Sequence, residues 1–261
     1  MQPFFFGAGG ALYGAYHQPP AHAPGPETAL LICQGIGYEY MRAYRACWQL
    51  AETAAARNAH VLRFDYACTG ESHGRQHEAS WARWVANTGE AIAWLRDTTA
   101  LSHVRIVGVR VGALIAAAAS AQTRERRRLL FWDPVVDGET YLKQIAVMHE
   151  SQTHNMNRYR PSRHHHAERG GDEYLGFHWP SPVVDELARV QLMNYAETRT
   201  DDWDLALSPG ESPQPVIDTV SARGGQIIEM PEAMDWMDIR AQYRRVALPQ
   251  SAQPMLDRVL A

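Results

Sequence analysis

The sequence predicts an α/β fold: a mostly parallel sheet with helices on both faces and an inserted cap. Three observations carry that expectation. Short apolar runs that end in turn residues alternate with longer runs of helical spacing, as where "TALLICQ" (28–34) gives way to "YMRAYRACWQLAETAAAR" (40–57). The stretch "VGVRVGA" (107–113) joins a β-like run to a helix-like run through a glycine on each side of Arg110. Residues 149–182 then break the alternation with a polar, weakly periodic segment rich in His, Arg and Gly.

Each element follows from its own pattern. "TALLICQ" is fully apolar and closes in "GIG", the mark of a buried parallel strand. Residues 40–57 combine helix formers with helical spacing. "AHVLRFDY" (59–66) reads as a strand and "ACTGESHG" (67–74) as its loop. Residues 80–100 are helical, with Trp81, Val85, Ile92 and Leu95 on the core face. "HVRIVGV" (103–109) is a strand, "ALIAAAAS" (113–120) a helix and "RRLLFWDPVV" (127–136) a strand. Beyond the polar segment come a short helix in 179–190 with a proline-rich start, a strand at 202–208 and a helix at 215–225 ending in glycine. A last strand with its loop (226–234) and a terminal helix (251–261) complete the order. Residues 1–148 and 193–261 are thus expected to form one core, and residues 149–192 a cap over the strand ends.

Composition narrows the function classes. With 261 residues, 46% of them hydrophobic, the chain supplies one sizeable core. A net charge of -4 argues against nucleic acid, and the run Arg124, Arg126, Arg127 and Arg128 reads as a solvated loop. The longest apolar stretch, "VGALIAAAAS", is too short to span a bilayer. Cys33, Cys47 and Cys68 are odd in number and widely spread, which suggests neither a disulfide framework nor a zinc site. A reduced, cytoplasmic setting without metal or cofactor is the expectation. Adjacent histidines His164, His165 and His166 do not share a helical face and read as part of the cap loop.

Ligands of such sheets bind at the carboxyl ends of the strands, where "CQGIGYEY", "GVRVG" and "WDPVVDG" fall. This order of elements resembles the α/β-hydrolase fold across nearly the whole chain. Gln34-Gly35-Ile36-Gly37 stands where hydrolases carry an oxyanion loop, "LRFDYACTGESHG" where they carry a strand-and-loop motif, and "GVRVGA" where G-x-S-x-G displays a serine. A bacterial subgroup of hydrolase-like proteins, found beside exosortase-associated and natural-product loci, is more similar still. It shares four ordered motifs with Cys33–Arg42, Phe64-Asp65-Tyr66, the Arg110 elbow and Trp132–Leu142, though Gln34 and Gly35 replace that subgroup's two prolines. The resemblance implies a biosynthetic setting.

The elbow raises the functional question. Arg110 stays protonated and is no nucleophile. The acid position after the strand 202–208 offers only Glu211, and after the last strand stand Asp235 and Trp236 with no histidine. A Ser-His-Asp route therefore lacks its side chains. Arg110 at a helix start can anchor an anion, or it can be neutralised by Glu39 or Asp133 and brace the loops. Asp133 is the first general-base candidate and Glu39 the second. Val111 with Gln34 or Gly35 suits an oxyanion-type pocket, with Cys33, Arg42 and Trp236 as further ligand-binding candidates. Cys33 is also the candidate of a thiol-dependent acyl-transfer alternative. The expectation is a non-serine enzyme acting on an acyl, ester or thioester-type intermediate, small or carrier-protein-bound, in a chain that admits a homodimer. The alternative is a pseudo-hydrolase that binds a ligand or partner without turnover.

Overall fold

The computed structural model describes residues 1–24, 27–153, 173–198, 201–234, 236, 248 and 252–261. Its frame is a strand–helix alternation. The strands are β1 (Gln2–Phe6), β2 (Leu12–His17), β3 (Thr28–Cys33), β4 (Ala59–Phe64), β5 (Val104–Val109), β6 (Arg128–Trp132), β7 (Glu173–Tyr174), β8 (Phe177–His178), β9 (Asp202–Leu207) and β10 (Ile227–Glu229). The helices are α1 (Tyr38–Ala55), α2 (Trp81–Thr99), α3 (Val111–Ala121), α4 (Gly138–Thr153), α5 (Ser181–Leu187), α6 (Leu192–Thr198), α7 (Gln214–Ala222) and α8 (Gln253–Leu260). Eight strands form one sheet in the order β1-β2-β4-β3-β5-β6-β9-β10, and β7 and β8 pair as a separate hairpin. From β4 to β10 every pairing is parallel, while β2 runs antiparallel to both β1 and β4.

Alternate residues of the buried strands feed two cores. On β3, Ala29, Leu31 and Cys33 join the side packed by α2, α3, α6 and α7, whereas Leu30 and Ile32 face α1 and α8. Trp81, Val85, Ile92 and Leu95 are all buried, as the α2 pattern requires. Helices therefore cover both faces, and the carboxyl ends of the parallel strands share one edge. Among the described residues no helix is long and apolar enough to cross a membrane, and the three cysteines are free and buried.

Several boundaries move, each for a physical reason. The strand expected over 127–136 stops at Trp132, because Asp133 takes a left-handed φ of 42° and Pro134 has no N–H to continue a ladder. The arginine run is not all solvated loop. Arg127 is buried with its guanidinium on Glu125, and Arg128 opens β6. Residues 149–153 continue α4 rather than opening a loop, so the expected cap boundary cuts a helix. Of that cap, residues 154–172, with His164, His165 and His166, lie outside the described residues. The β7–β8 hairpin and α5 lie inside. The amino-terminal hairpin β1–β2 was not expected from the aromatic run "QPFFF".

Candidate functional site

The sharp turn between β5 and α3 brings Arg110 to the sheet edge. Gly108 and Gly112 make that turn possible. A Cβ on Gly108 would lie 2.6 Å from Ala113 Cα, and one on Gly112 would lie 2.2 Å from the Cys33 carbonyl oxygen. Arg110 itself holds φ 53° and ψ -123°, a conformation costly for a side-chain-bearing residue. Its backbone is pinned at both ends. The N–H donates to the Trp132 carbonyl at 3.1 Å, and the carbonyl accepts from Ala113 and Val135 at 3.0 and 3.2 Å.

The guanidinium is equally fixed. Nε donates to Glu39 Oε1 at 2.9 Å and Nη1 to the Asp133 carbonyl at 2.9 Å, with Glu211 Oε1 3.7 Å from Nη1. Arg110 is 6% exposed and Glu39 1%. Of the neutralising partners considered for Arg110, Glu39 supplies its carboxylate and Asp133 only its backbone. Burial disfavours the charged guanidinium, but the Glu39 carboxylate more than offsets this and holds Arg110 above its ordinary pKa. The buried Tyr141 hydroxyl faces the same carboxylate, and its pKa is driven well up by burial first and then by Glu39.

Asp133, fully buried, spends its carboxylate elsewhere. Oδ1 accepts from the Ser208 N–H at 2.7 Å. Oδ2 accepts from the Ser208 hydroxyl and the Trp236 indole N–H, both at 2.6 Å. Trp236 also packs edge-on against Trp132, ring centroids 5.2 Å apart. The Asp133 carboxylate is thus paired with an indole and a serine. An indole donates but never accepts, so it relays no proton. Three donors on two oxygens also leave Asp133 poorly placed to take a proton from a substrate.

The other expected residues divide. Val111, fully buried, opens α3 beside the first loop. Gln34 and Gly35 form that loop. Gln34 Nε2 donates to the Phe64 carbonyl at 3.4 Å, while Gln34 Oε1 and Glu39 Oε2 are buried without a hydrogen-bond partner. Cys33 is fully buried under Tyr66 and Thr88, and burial pushes its thiol up to about 12. That is the setting of a core residue and not of a reactive thiolate, so the thiol-dependent alternative finds no support. Arg42 is buried within α1, and Glu39, three residues earlier, pairs with Arg110 across the fold instead. Asp235 lies outside the described residues. Sequence reasoning missed Ser208 and Tyr141. Ser208 ends the strand "DWDLALS", which places it at the same edge, but nothing local marks either as a partner of the elbow.

Beside this clamp lies a cavity of about 50 Å³, walled by Gly35, Ile36 and Gly37, by Cys68, Thr69 and Trp84, and by Phe177 and Trp179 of the cap. Trp179 is its roof. A Cβ on Gly37, which has φ +62°, would lie 3.2 Å from the Trp179 ring. Arg110 and Asp133 are not part of the wall.

This strand order and elbow are those of the α/β-hydrolase fold. Solved structures similar to the chain include Est1E from Butyrivibrio proteoclasticus, at TM-score 0.60 and 12% identity over 99% of each chain. A second is an alpha-beta serine hydrolase homologue from Coxiella burnetii, at TM-score 0.56 and 13% identity over 100% of this chain and 97% of that one. A third is a deformylase from Pseudomonas putida S16, at TM-score 0.58 and 16% identity over 94% and 100%. At such identities the likeness shows the fold. No protein-family model and no curated protein matches the chain.

Proposed function

We propose that the chain is a pseudo-hydrolase, which binds a short acyl-type ligand beneath the cap and does no nucleophilic chemistry at its elbow. One observation carries the reading: the elbow side chain is a buried arginine locked onto Glu39 and the Asp133 carbonyl, while the Asp133 carboxylate is filled by Ser208 and Trp236. A guanidinium attacks no carbonyl, and its hydrogen bonds aim Nε and Nη1 at the protein itself. The adjoining cavity, at about 50 Å³, is smaller than the ~150 Å³ void that accepts benzene, which suits a short acyl group. The substrate-class expectation, acyl or thioester and small or carrier-bound, is retained as the ligand class.

The test uses acetyl-N-acetylcysteamine as a thioester probe. It is expected to shift the Trp84 and Trp179 indole signals saturably in a ¹⁵N NMR titration and to be recovered intact. Fluorophosphonate labelling, or thioester cleavage above the buffer rate, would sink the reading.

A second reading keeps turnover, on one observation: Glu39 Oε2 and Gln34 Oε1 are buried acceptors without a hydrogen-bond partner among the described residues. A water held there gives Glu39 the role of general base. In that case Glu39→Gln abolishes thioester cleavage while leaving probe binding in place.

A further inference from the structure

Tyr40 lines both the covered cavity and an open groove of about 620 Å³, whose other walls are Tyr13, Met41, Tyr44, Asp65 and Glu71. We propose that this groove is a binding site for a small organic ammonium ion, in which tyrosine faces and carboxylates together form a cage.

The walls have the right geometry. Tyr40 and Tyr44 stand one helical turn apart on α1, with ring centroids 5.9 Å apart and planes inclined at 65°, so they form two sides of a corner. Tyr13 from β2 adds a third ring and Met41 a polarizable thioether. Aromatic faces attract cations through the ring quadrupole. One of these rings already meets a cation from the protein side, the Arg63 guanidinium carbon lying 5.0 Å from the Tyr44 ring centroid. Arg63 is itself buried at 2% exposure, held by His17 Nε2 and the Met1 sulfur.

The charge is also right. Asp65, 3% exposed, is fixed by the Tyr40 hydroxyl on Oδ1 at 2.9 Å and by the Glu71 N–H on Oδ2 at 3.0 Å. Glu71 is exposed, and among the described residues its carboxylate has no ion-pair partner. Two carboxylates against one guanidinium leave the groove net negative. Large apolar surface is left open at its mouth, Met41 at 55% and Tyr44 at 42% exposure. A bare divalent cation wants a shell of oxygen ligands, which rings and a thioether do not give. An alkylated ammonium wants the rings, and the carboxylates supply the field.

The experiment is a calorimetric titration of the whole chain with choline and with 3,3-dimethyl-1-butanol, its uncharged isostere. Choline is expected to bind saturably and at least about tenfold more tightly than the isostere. Glu71→Gln and Tyr44→Leu, both at exposed positions and with the fold checked by circular dichroism, are each expected to weaken choline by about five- to tenfold and to leave the isostere unchanged. Equal affinity for the two probes, no saturable choline heat, or unaltered choline binding in both variants overturns the proposal. None of these outcomes bears on the thioester test, which reads the covered cavity.

Discussion

Two buried arginines near α1 solve the same electrostatic problem in opposite ways. Arg110 is neutralised at contact distance: Glu39 takes Nε, the Asp133 carbonyl takes Nη1, and Glu211 stands just beyond. Arg63 contacts no carboxylate within salt-bridge distance among the described residues. Its partners are the neutral His17 ring, the Met1 sulfur and the Tyr44 face. Closing all charges onto one another makes Arg110 a brace. At the other site Asp65 and Glu71 remain turned to a groove. The contrast is one of charge: at the elbow a guanidinium and a carboxylate close onto each other in the interior, whereas beside Arg63 the second carboxylate, Glu71, stays at the surface.

The largest effect that tests this contrast comes from breaking the brace. Arg110→Met strands the Glu39 carboxylate at 1% exposure, and the expected loss is about 3–5 kcal/mol of unfolding free energy, read from urea denaturation. Arg110→Met combined with Glu39→Leu removes both charges and is expected to recover most of that loss. If Arg110→Met costs nothing, the arginine is not a brace and the anion-anchor role returns.

Next in size is the acid–indole pair. Trp236→Phe keeps the ring contact with Trp132 but takes one donor from Asp133 Oδ2, leaving that oxygen to the Ser208 hydroxyl alone. A hydrogen bond to a buried carboxylate contributes about 1.5–3 kcal/mol, so a loss in that range is expected, with no change in thioester binding. Trp236→His is the sharper variant. It places an imidazole beside Asp133, and the expectation is still no esterase activity, because the elbow side chain is Arg110.

How much of this was legible in the sequence depended on distance along the chain. The elbow was readable because its two glycines and the flanking apolar runs are local. The pairing of Arg110 with Glu39 is one of the alternatives the sequence leaves open, since both stand at the expected strand-end edge. Asp133 looked like a base because nothing local shows that Ser208, 75 residues on, and Trp236, 103 residues on, donate to it. The tyrosine groove was invisible for the same reason: Tyr13, Tyr40 and Asp65 come from β2, α1 and the loop after β4. The hairpin β1–β2 escaped because β1 buries little beyond Phe6, so its run lacks a clear two-residue period.

A pH effect separates the two arginines. Arg63 Nε–H can only donate, so His17 Nε2 must accept, and the ring proton sits on Nδ1, which donates to Glu52 Oε1 at 2.6 Å. His17 is therefore neutral in the fold. Burial, and then the Arg63 charge, lower its pKa from 6.5 to about 4, against the opposing pull of Glu52. In the unfolded chain the same ring protonates near 6.5. Between those two values the unfolded state binds the extra proton, so stability contributed here is complete above pH 6.5 and declines as pH falls toward 4. The expected slope from this one group is at most about 1.4 kcal/mol per pH unit. His17→Gln, which cannot titrate, should flatten that part of the urea-derived stability profile, whereas Arg110→Met combined with Glu39→Leu, which removes both charges of the brace, should leave the slope unchanged. A wild-type profile no steeper than that of His17→Gln between pH 6.5 and 4 would mean that Arg63 is not held by a neutral imidazole.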